Sequence, residues 1–243
     1  MHDQPHAGVV ADQFGAQAQA YVQSTVHAQG EDLARLADLV RGRPAARVLD
    51  LGCGGGHVSY AVTAAMLEAV AAEAARRGLA NIRTRQGAAE ALPFEDASFD
   101  YVFCRFSAHH WQDFAAGLRE ARRVLRAGGQ AVFVDVISPG QPLADTWLQC
   151  MELLRDPSHV RDYSLAEWLR ATAEAGFAAQ ALGVRRLRMD FASWIARMRT
   201  PPVQAEAIRA LQARMAKPVR DCFAVEDDGS FTLDSMSLEL AAG

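Results

Sequence analysis

The sequence predicts an α/β fold in which a mainly parallel sheet is covered by helices on both faces. Short runs of apolar and β-branched residues alternate with longer segments of helical periodicity in the first half of the chain. Strands that alternate with helices are typical of βαβ units, whose strands run parallel. The 243 residues are 50% hydrophobic, which is enough for one large core. We therefore predict a single domain over residues 1–243.

Four runs are predicted as strands from their apolar and β-branched residues: ARVLDL (46–51), NIRTRQ (81–86), FDYVFC (99–104) and GQAVFVDVI (129–137). Helices with one apolar face are predicted at 64–78 and 114–129, and both segments end on glycine, a common helix terminator. This alternation defines the core of the domain.

The segments on either side of the core are different in character. Residues 1–44 are predicted to form leading helices. Residues 138–243 are predicted to form a small helical cap with closing strands, which leaves 45–137 as the core. Ser164 and Glu167 have the spacing of a capping box at a helix start. The stretch DGSFTLDSMSLEL (228–240) suggests a closing, hairpin-like pair of strands.

Charge and composition argue against several classes of partner. The formal net charge of -4 gives no basic field for a nucleic acid. No apolar run approaches the ~20 residues that a membrane span needs, and the start lacks the pattern of a secretory signal. We therefore expect a cytoplasmic protein without nucleic-acid or membrane partners. The four cysteines form no C-x-x-C pair, so neither disulfides nor a zinc site is expected.

The stretch VLDLGCGGGH (48–57) joins a buried strand to a glycine-rich loop. It lacks the Lys-Ser or Lys-Thr of a phosphate-binding P-loop, and His57 occupies the third glycine position of a dinucleotide fingerprint. Asp50 at the strand end would repel a phosphate but suits an ammonium group. A ligand that joins a cationic amino acid to a nucleoside satisfies both features, and S-adenosylmethionine is such a ligand.

Three motifs in order give a family resemblance. VLDLGCGGG, GAAEALPFEDASFDYVFCRFSAHHW and LREARRVLRAGGQAVFVDV resemble the motifs of class I S-adenosylmethionine-dependent methyltransferases, especially the branch that includes the ubiquinone and menaquinone methyltransferases. The resemblance covers residues 45–137. It implies a Rossmann-like fold, S-adenosylmethionine as cofactor, and methyl transfer to a small molecule.

The resemblance also implies a set of cofactor-binding residues. The methionine part of the cofactor is expected to lie against the strand end and loop, at Asp50, Gly52, Cys53 and Gly54. Ala88 takes the position of an acidic residue that binds adenine in the family, which leaves the backbone of Ala89 as the remaining contact, and Glu90 is expected to cap a helix. The wall of the site is expected from Cys104, Arg105 and Phe106, and Tyr21 from the leading helix.

His109 and His110 are the candidate catalytic residues. They follow the third of the predicted strands, on a loop that the resemblance places beside the substrate. A histidine with its ordinary pKa near ~6.5 suits proton removal around neutrality. The alternative is that both pack beside Trp111. A metal site is not expected, because adjacent histidines seldom converge on one ion.

The stretch YAVTAAMLEAV (60–70) raises a doubt about activity. In the family a second strand follows the glycine-loop helix and ends in an acid that binds the ribose. Glu68 has a suitable distance from Asp50 but lies inside a predicted amphipathic helix. We therefore predict that the second strand is absent and hypothesise that cofactor binding is weakened or lost. Two alternatives stay open: a degenerate, non-catalytic nucleoside- or partner-binding member of the fold, and a nicotinamide-dependent oxidoreductase, which His57 disfavours.

Overall fold

A computed structural model describes residues 31–52, 75–76 and 83–243. Along the chain the elements are α1 (Glu31–Val40), β1 (Val48–Leu51), β2 (Phe99–Arg105), a short 3-10 turn (Ala108–His110), α2 (Phe114–Val124), β3 (Leu125–Ile137), α3 (Pro142–Arg155), α4 (Leu165–Glu174), β4 (Phe177–Met189), α5 (Phe191–Arg197), α6 (Pro202–Arg214), α7 (Lys217–Phe223) and β5 (Phe231–Ala242).

The strands of the described residues form one sheet in the order β1-β2-β3-β5-β4. β1, β2 and β3 are parallel, and β5 lies antiparallel between β3 and β4. The predicted fold class, mixed α/β with a mostly parallel sheet, is confirmed. The predicted loss of a second strand, Glu68 and most of the predicted helix at 64–78 lie outside the described residues.

Two strand predictions are wrong. Residues 83–86 of the predicted strand NIRTRQ have no regular structure. Their polar side chains offer little apolar surface to bury, and Arg85 instead donates to the carbonyl of Pro93 at 2.8 Å. The predicted closing hairpin is one continuous strand, β5. Its residues pair with β3 on one side and β4 on the other, so a turn within it would break both ladders.

Two clusters of buried side chains cover the two faces of the sheet. One contains Trp111, Leu118, Phe133 and Trp168 and joins α2 and α4 to the sheet. The other joins α3 and α5–α7 to the opposite face through residues such as Leu148, Trp194, Phe223 and Phe231. Helices therefore lie on both faces, as predicted. Within the described ranges, no helix is long and apolar enough to cross a bilayer.

Local contacts fix the helices beside the site. Gly117 of α2 lies so close to the ring of Trp111 that a Cβ would overlap it. The predicted capping box of α4 is confirmed, because the N–H of Glu167 donates to Ser164 Oγ at 3.4 Å and the N–H of Ser164 donates to Glu167 Oε2 at 2.8 Å. Glu90 accepts from the N–H of Gln112 at 2.9 Å, just before α2 begins, which fits the expected capping role.

Candidate active site

The described candidate residues gather at the carboxyl ends of three parallel strands. In the ladder, Asp50 of β1 pairs with Phe103, and Leu51 pairs with Cys104 of β2. Gly52 follows with φ of +90°, a conformation that favours glycine. Ligands of open α/β sheets bind at this edge. The structure thus brings Asp50, Gly52 and Cys104 together, while Tyr21, Cys53, Gly54 and Glu68 lie outside the described residues.

Cys104 is buried and is influenced by the charges of two acidic side chains. Burial raises the pKa of the thiol well above its ordinary value, and the negative charges of Asp135 and Asp50 add to this effect. The thiol is therefore neutral at physiological pH and has the character of a small apolar wall group. Asp50 lies on β1 and Asp135 on β3, so both strands carry an acidic residue close enough to influence the thiol of Cys104.

Arg105 has a structural partner that sequence reasoning missed. Its Nε lies 2.5 Å from Oδ2 of Asp32 in α1, and both side chains are almost completely buried. Arg185 contacts the other oxygen of Asp32 at 2.9 Å. These ion pairs attach α1 to the sheet. The predicted contact of Arg105 with the cofactor stays a prediction.

Phe106 lies in a bend, and the segment around Ala88 forms a turn. Phe106 has φ of +51°, which is uncommon for a residue with a side chain, and its N–H donates to the carbonyl of Val134 at 2.8 Å. Ala88 and Ala91 form an isolated antiparallel bridge, and Ala89 is fully buried. The expected contact of adenine with the backbone of Ala89 stays a prediction.

His109 is held by Asp135, which lies on β3. Nδ1 of His109 lies 2.7 Å from Oδ1 of Asp135. The same carboxylate accepts from the backbone N–H groups of Ser107 at 3.2 Å, Ala108 at 2.9 Å and Val136 at 2.9 Å. With four contacts the carboxylate is fixed, so it sets the orientation of the imidazole through Nδ1.

The environment changes the protonation state of His109. Burial lowers the pKa of the imidazole, but the negative charge and hydrogen bond of Asp135, with smaller contributions from Asp162 and Glu152, outweigh burial and raise it to about 9. The expectation of an ordinary pKa near neutrality is therefore wrong for this histidine. Around neutral pH the imidazole is mostly protonated and forms an ion pair with Asp135.

His110 has a different environment. Its Nδ1 lies 3.0 Å from the carbonyl oxygen of Ser158, and its ring centroid lies 4.2 Å from that of His109. Burial and the neighbouring charge of His109 lower the pKa of His110 to about 4. A neutral ring bound to the backbone fits the packing alternative, so a catalytic role for His110 is less favoured than one for His109.

Asp162 is a further candidate residue at this site, and the sequence analysis did not identify it. It is 2% exposed, and Oδ2 has no hydrogen-bond partner among the described residues. Burial and the nearby carboxylate of Glu152 raise the pKa of Asp162 well above its ordinary value. Ligand atoms of His109, Asp135 and Asp162 all lie within 4.8 Å of one another. No pattern in the sequence links these three residues, because they meet only through the fold.

Comparisons with known proteins agree with this geometry. A family model described as a methyltransferase domain matches residues 49–133. The uncharacterized protein YafE of Escherichia coli (strain K12) is 48% identical over 182 residues, which is 75% of this chain and 88% of YafE. The uncharacterized methyltransferase YcgJ of Bacillus subtilis (strain 168) is 35% identical over 224 residues, covering 87% of this chain and 88% of YcgJ.

The crystal structure of YcgJ superimposes with a TM-score of 0.81 at 32% sequence identity, covering 87% of this chain and 97% of YcgJ. The described residues also fit S-adenosylmethionine, since the carboxylate of Asp50 suits its ammonium group and Gly52 lets the backbone approach a ligand. The family motifs, the parallel sheet with its site edge and the relatives lead to one assignment: the chain belongs to the class I S-adenosylmethionine-dependent methyltransferases.

Proposed function

We propose that this methyltransferase acts on a small-molecule acceptor held beside His109. The observation that carries the proposal is the ion pair of His109 with Asp135 at 2.7 Å, at the sheet edge that also bears Asp50. The two rival functions gain no support, since neither a nicotinamide enzyme nor a non-catalytic binding protein is named among the relatives described above.

In this proposal His109 acts as a general base on the acceptor. Asp135 binds Nδ1, so in this proposal Nε2 takes the proton of the acceptor, and the carboxylate stabilises the imidazolium that forms. S-adenosylmethionine supplies an already activated methyl group when it is bound. The main task of the chain is therefore to align the acceptor, and His109 and the sheet edge do so.

The raised pKa of His109 predicts an alkaline pH profile. With a pKa of about 9, only about 1% of the imidazole is neutral around pH 7, and this fraction rises about tenfold per pH unit. We expect kcat/KM to increase up to pH ~9 and then level off. A profile that falls between pH ~8 and ~10 would instead indicate that the protonated ring is the active form.

The cofactor site is proposed to include Asp50, Gly52, Cys104 and Phe106, with Tyr21, Cys53, Gly54 and Glu68 contributing from segments outside the described residues. Calorimetric titration with S-adenosylhomocysteine tests this set. Replacing Asp50 by Asn is expected to weaken binding at least ~10-fold, because a charge-assisted hydrogen bond is lost. Glu68→Gln should have a comparable effect if Glu68 replaces the acid that the family uses for ribose.

A paired substitution tests the catalytic assignment. Production of S-adenosylhomocysteine is measured with a panel of small hydroxyl and amine compounds for the wild type, His109→Gln and His110→Gln. The loss of a general base is expected to lower kcat/KM by ~10² or more for His109→Gln, while S-adenosylhomocysteine affinity is unchanged. His110→Gln is expected to affect stability more than turnover. Full activity of His109→Gln would refute the assignment.

A further inference from the structure

Asp162 is the buried acid at this site whose carboxylate is least satisfied. Each neighbouring acid has a partner: Asp156 accepts from the N–H and Oγ of Ser158 at 2.9 and 2.6 Å, Glu152 contacts Arg155 at 3.1 Å, and Asp135 binds His109. Within the described part of the chain, Asp162 Oδ2 has none. Burying an unpaired oxygen is unfavourable, and such groups in native proteins commonly have a functional explanation.

The backbone around Asp162 is fixed rather than adaptable. The side chain of Gln149, on α3, donates to the carbonyl of Asp162 at 2.8 Å and accepts from its N–H at 3.1 Å. Two residues earlier, the N–H of Val160 donates to the carbonyl of His109 at 2.8 Å. The segment is therefore tied both to α3 and to the turn that carries His109, which keeps the carboxyl of Asp162 in place beside the imidazole.

The side chains of His109 and Asp162 lie close enough to share one ligand atom. Their ligand atoms lie within 4.8 Å of each other, and Asp162 Oδ2 has no hydrogen-bond partner among the described residues. Two hydrogen bonds of ~2.8 Å that meet at one oxygen span about 4.6 Å between the outer atoms. A single oxygen that binds both groups is compatible with this upper limit.

We propose that Asp162 and His109 together bind a hydroxyl group of the methyl acceptor, and that Asp162 selects acceptors that carry one. This inference rests on the proposed function and defines its substrate class. A hydroxyl can accept a hydrogen bond from the protonated imidazole and donate one to a carboxyl oxygen of Asp162. An ether of the same shape has no proton to donate, so it would leave a buried polar atom unpaired, and sites of this kind discriminate strongly against such analogues.

Melting temperatures distinguish a role of Asp162 in binding the acceptor from a role in stabilising the fold. Asp162→Asn is compared with Asp156→Asn in thermal unfolding, since both acids are 2% exposed, Asp156 accepts from Ser158, and Oδ2 of Asp162 has no partner within the described residues. We expect Asp162→Asn to have a melting temperature equal to or above that of the wild type, and Asp156→Asn to melt lower. Equal losses in the two variants would make Asp162 a structural residue and overturn the proposal.

Binding of matched probes tests the chemistry directly. Ligand-observed NMR in the presence of S-adenosylhomocysteine compares phenol with anisole and cyclohexanol with methoxycyclohexane. In the wild type the hydroxyl member of at least one pair is expected to bind about 10-fold or more tightly than its ether, and Asp162→Ala should reduce this ratio to about threefold or less. The absence of any preference in the wild type, or its survival in the variant, would overturn the proposal.

Two further measurements distinguish a failure of the hydroxyl proposal from a failure of the proposed methyltransferase function. S-adenosylhomocysteine should bind the wild type and Asp162→Ala with the same affinity; failure of the wild type to bind it would count against the proposed function itself. Manganese chloride alone should bind weakly and equally to both. Tight Mn²⁺ binding that Asp162→Ala abolishes would overturn the hydroxyl proposal, because His109, Asp135 and Asp162 would then be metal ligands.

Discussion

Replacing Asp135 by Asn tests the electrostatics on which the site depends. The substitution keeps the size of the side chain and one carbonyl oxygen, which can still accept from the N–H groups of Ser107 and Ala108. It removes the charge that holds the proton on His109. Asp135 is 1% exposed, so solvent screens this interaction little.

The structure gives the size of the stabilisation that the His109–Asp135 ion pair provides and its dependence on pH. The pKa of His109 rises from 6.5 in a free side chain to about 9 in the folded protein, and each unit corresponds to 1.36 kcal/mol, or about 3 kcal/mol in total. Since the pKa is higher in the folded state, this stabilisation is fully present below pH ~6.5. It is lost as the pH rises through ~9.

Urea unfolding of the wild type and Asp135→Asn at pH ~6 and pH ~9.5 measures the difference. We expect the variant to lose about 4 kcal/mol of unfolding free energy at the lower pH, about 3 from the charge and about 1 from the hydrogen bonds, and about 1 kcal/mol at the higher pH, where only the neutral hydrogen bonds differ. NMR titration should place the pKa of His109 near 9 in the wild type and below its ordinary value in the variant, where burial dominates.

Either of two results would show that Asp135 does not stabilise the fold through the proton on His109. One is an equal loss of stability at both pH values, which would show that the proton on His109 is not involved. The other is a wild-type His109 that titrates near its ordinary pKa, which would mean that burial cancels the effect of Asp135.

Three further changes test the packing around the site, each by urea unfolding. Asp32→Ala leaves the guanidinium of Arg105 buried without its main partner and should cost about 3 kcal/mol. Gly117→Ala forces a methyl group against the ring of Trp111, and we expect a loss of about 1–3 kcal/mol. Ser164→Ala removes the capping box of α4 and should cost about 1 kcal/mol.

Matched controls exist for the first two changes. Asp38→Ala breaks the exposed ion pair with Arg41, and Gly140→Ala places its Cβ where nothing lies within 4 Å; both should change stability by less than about 0.5 kcal/mol. A control that costs as much as its partner would contradict the corresponding explanation. For Ser164, an effect near zero would show that solvent replaces the cap.

Local sequence patterns were sufficient to predict much of the fold. The strands β1, β2 and the apolar part of β3 follow from short apolar runs, and the capping box at Ser164 follows from its spacing to Glu167. These features depend on residues close in sequence, so periodicity and turn chemistry reveal them. The continuous strand β5 was missed because its length is set by two partners, β3 and β4, that lie far away in the chain.

Some features of the candidate site also follow from local sequence, whereas others depend on the fold. By itself the sequence determined the cofactor class and pointed to His109 and His110 alike, because the strand end at Asp50, the glycine loop and the later motifs are contiguous stretches with recognisable spacing. Only the tertiary structure decided how His109 is protonated and which residue shares its space. Asp135 and Asp162 come from separate segments that the folded sheet and α3 bring within 4.8 Å of His109, and electrostatic effects of buried charges depend on such distances rather than on order along the chain.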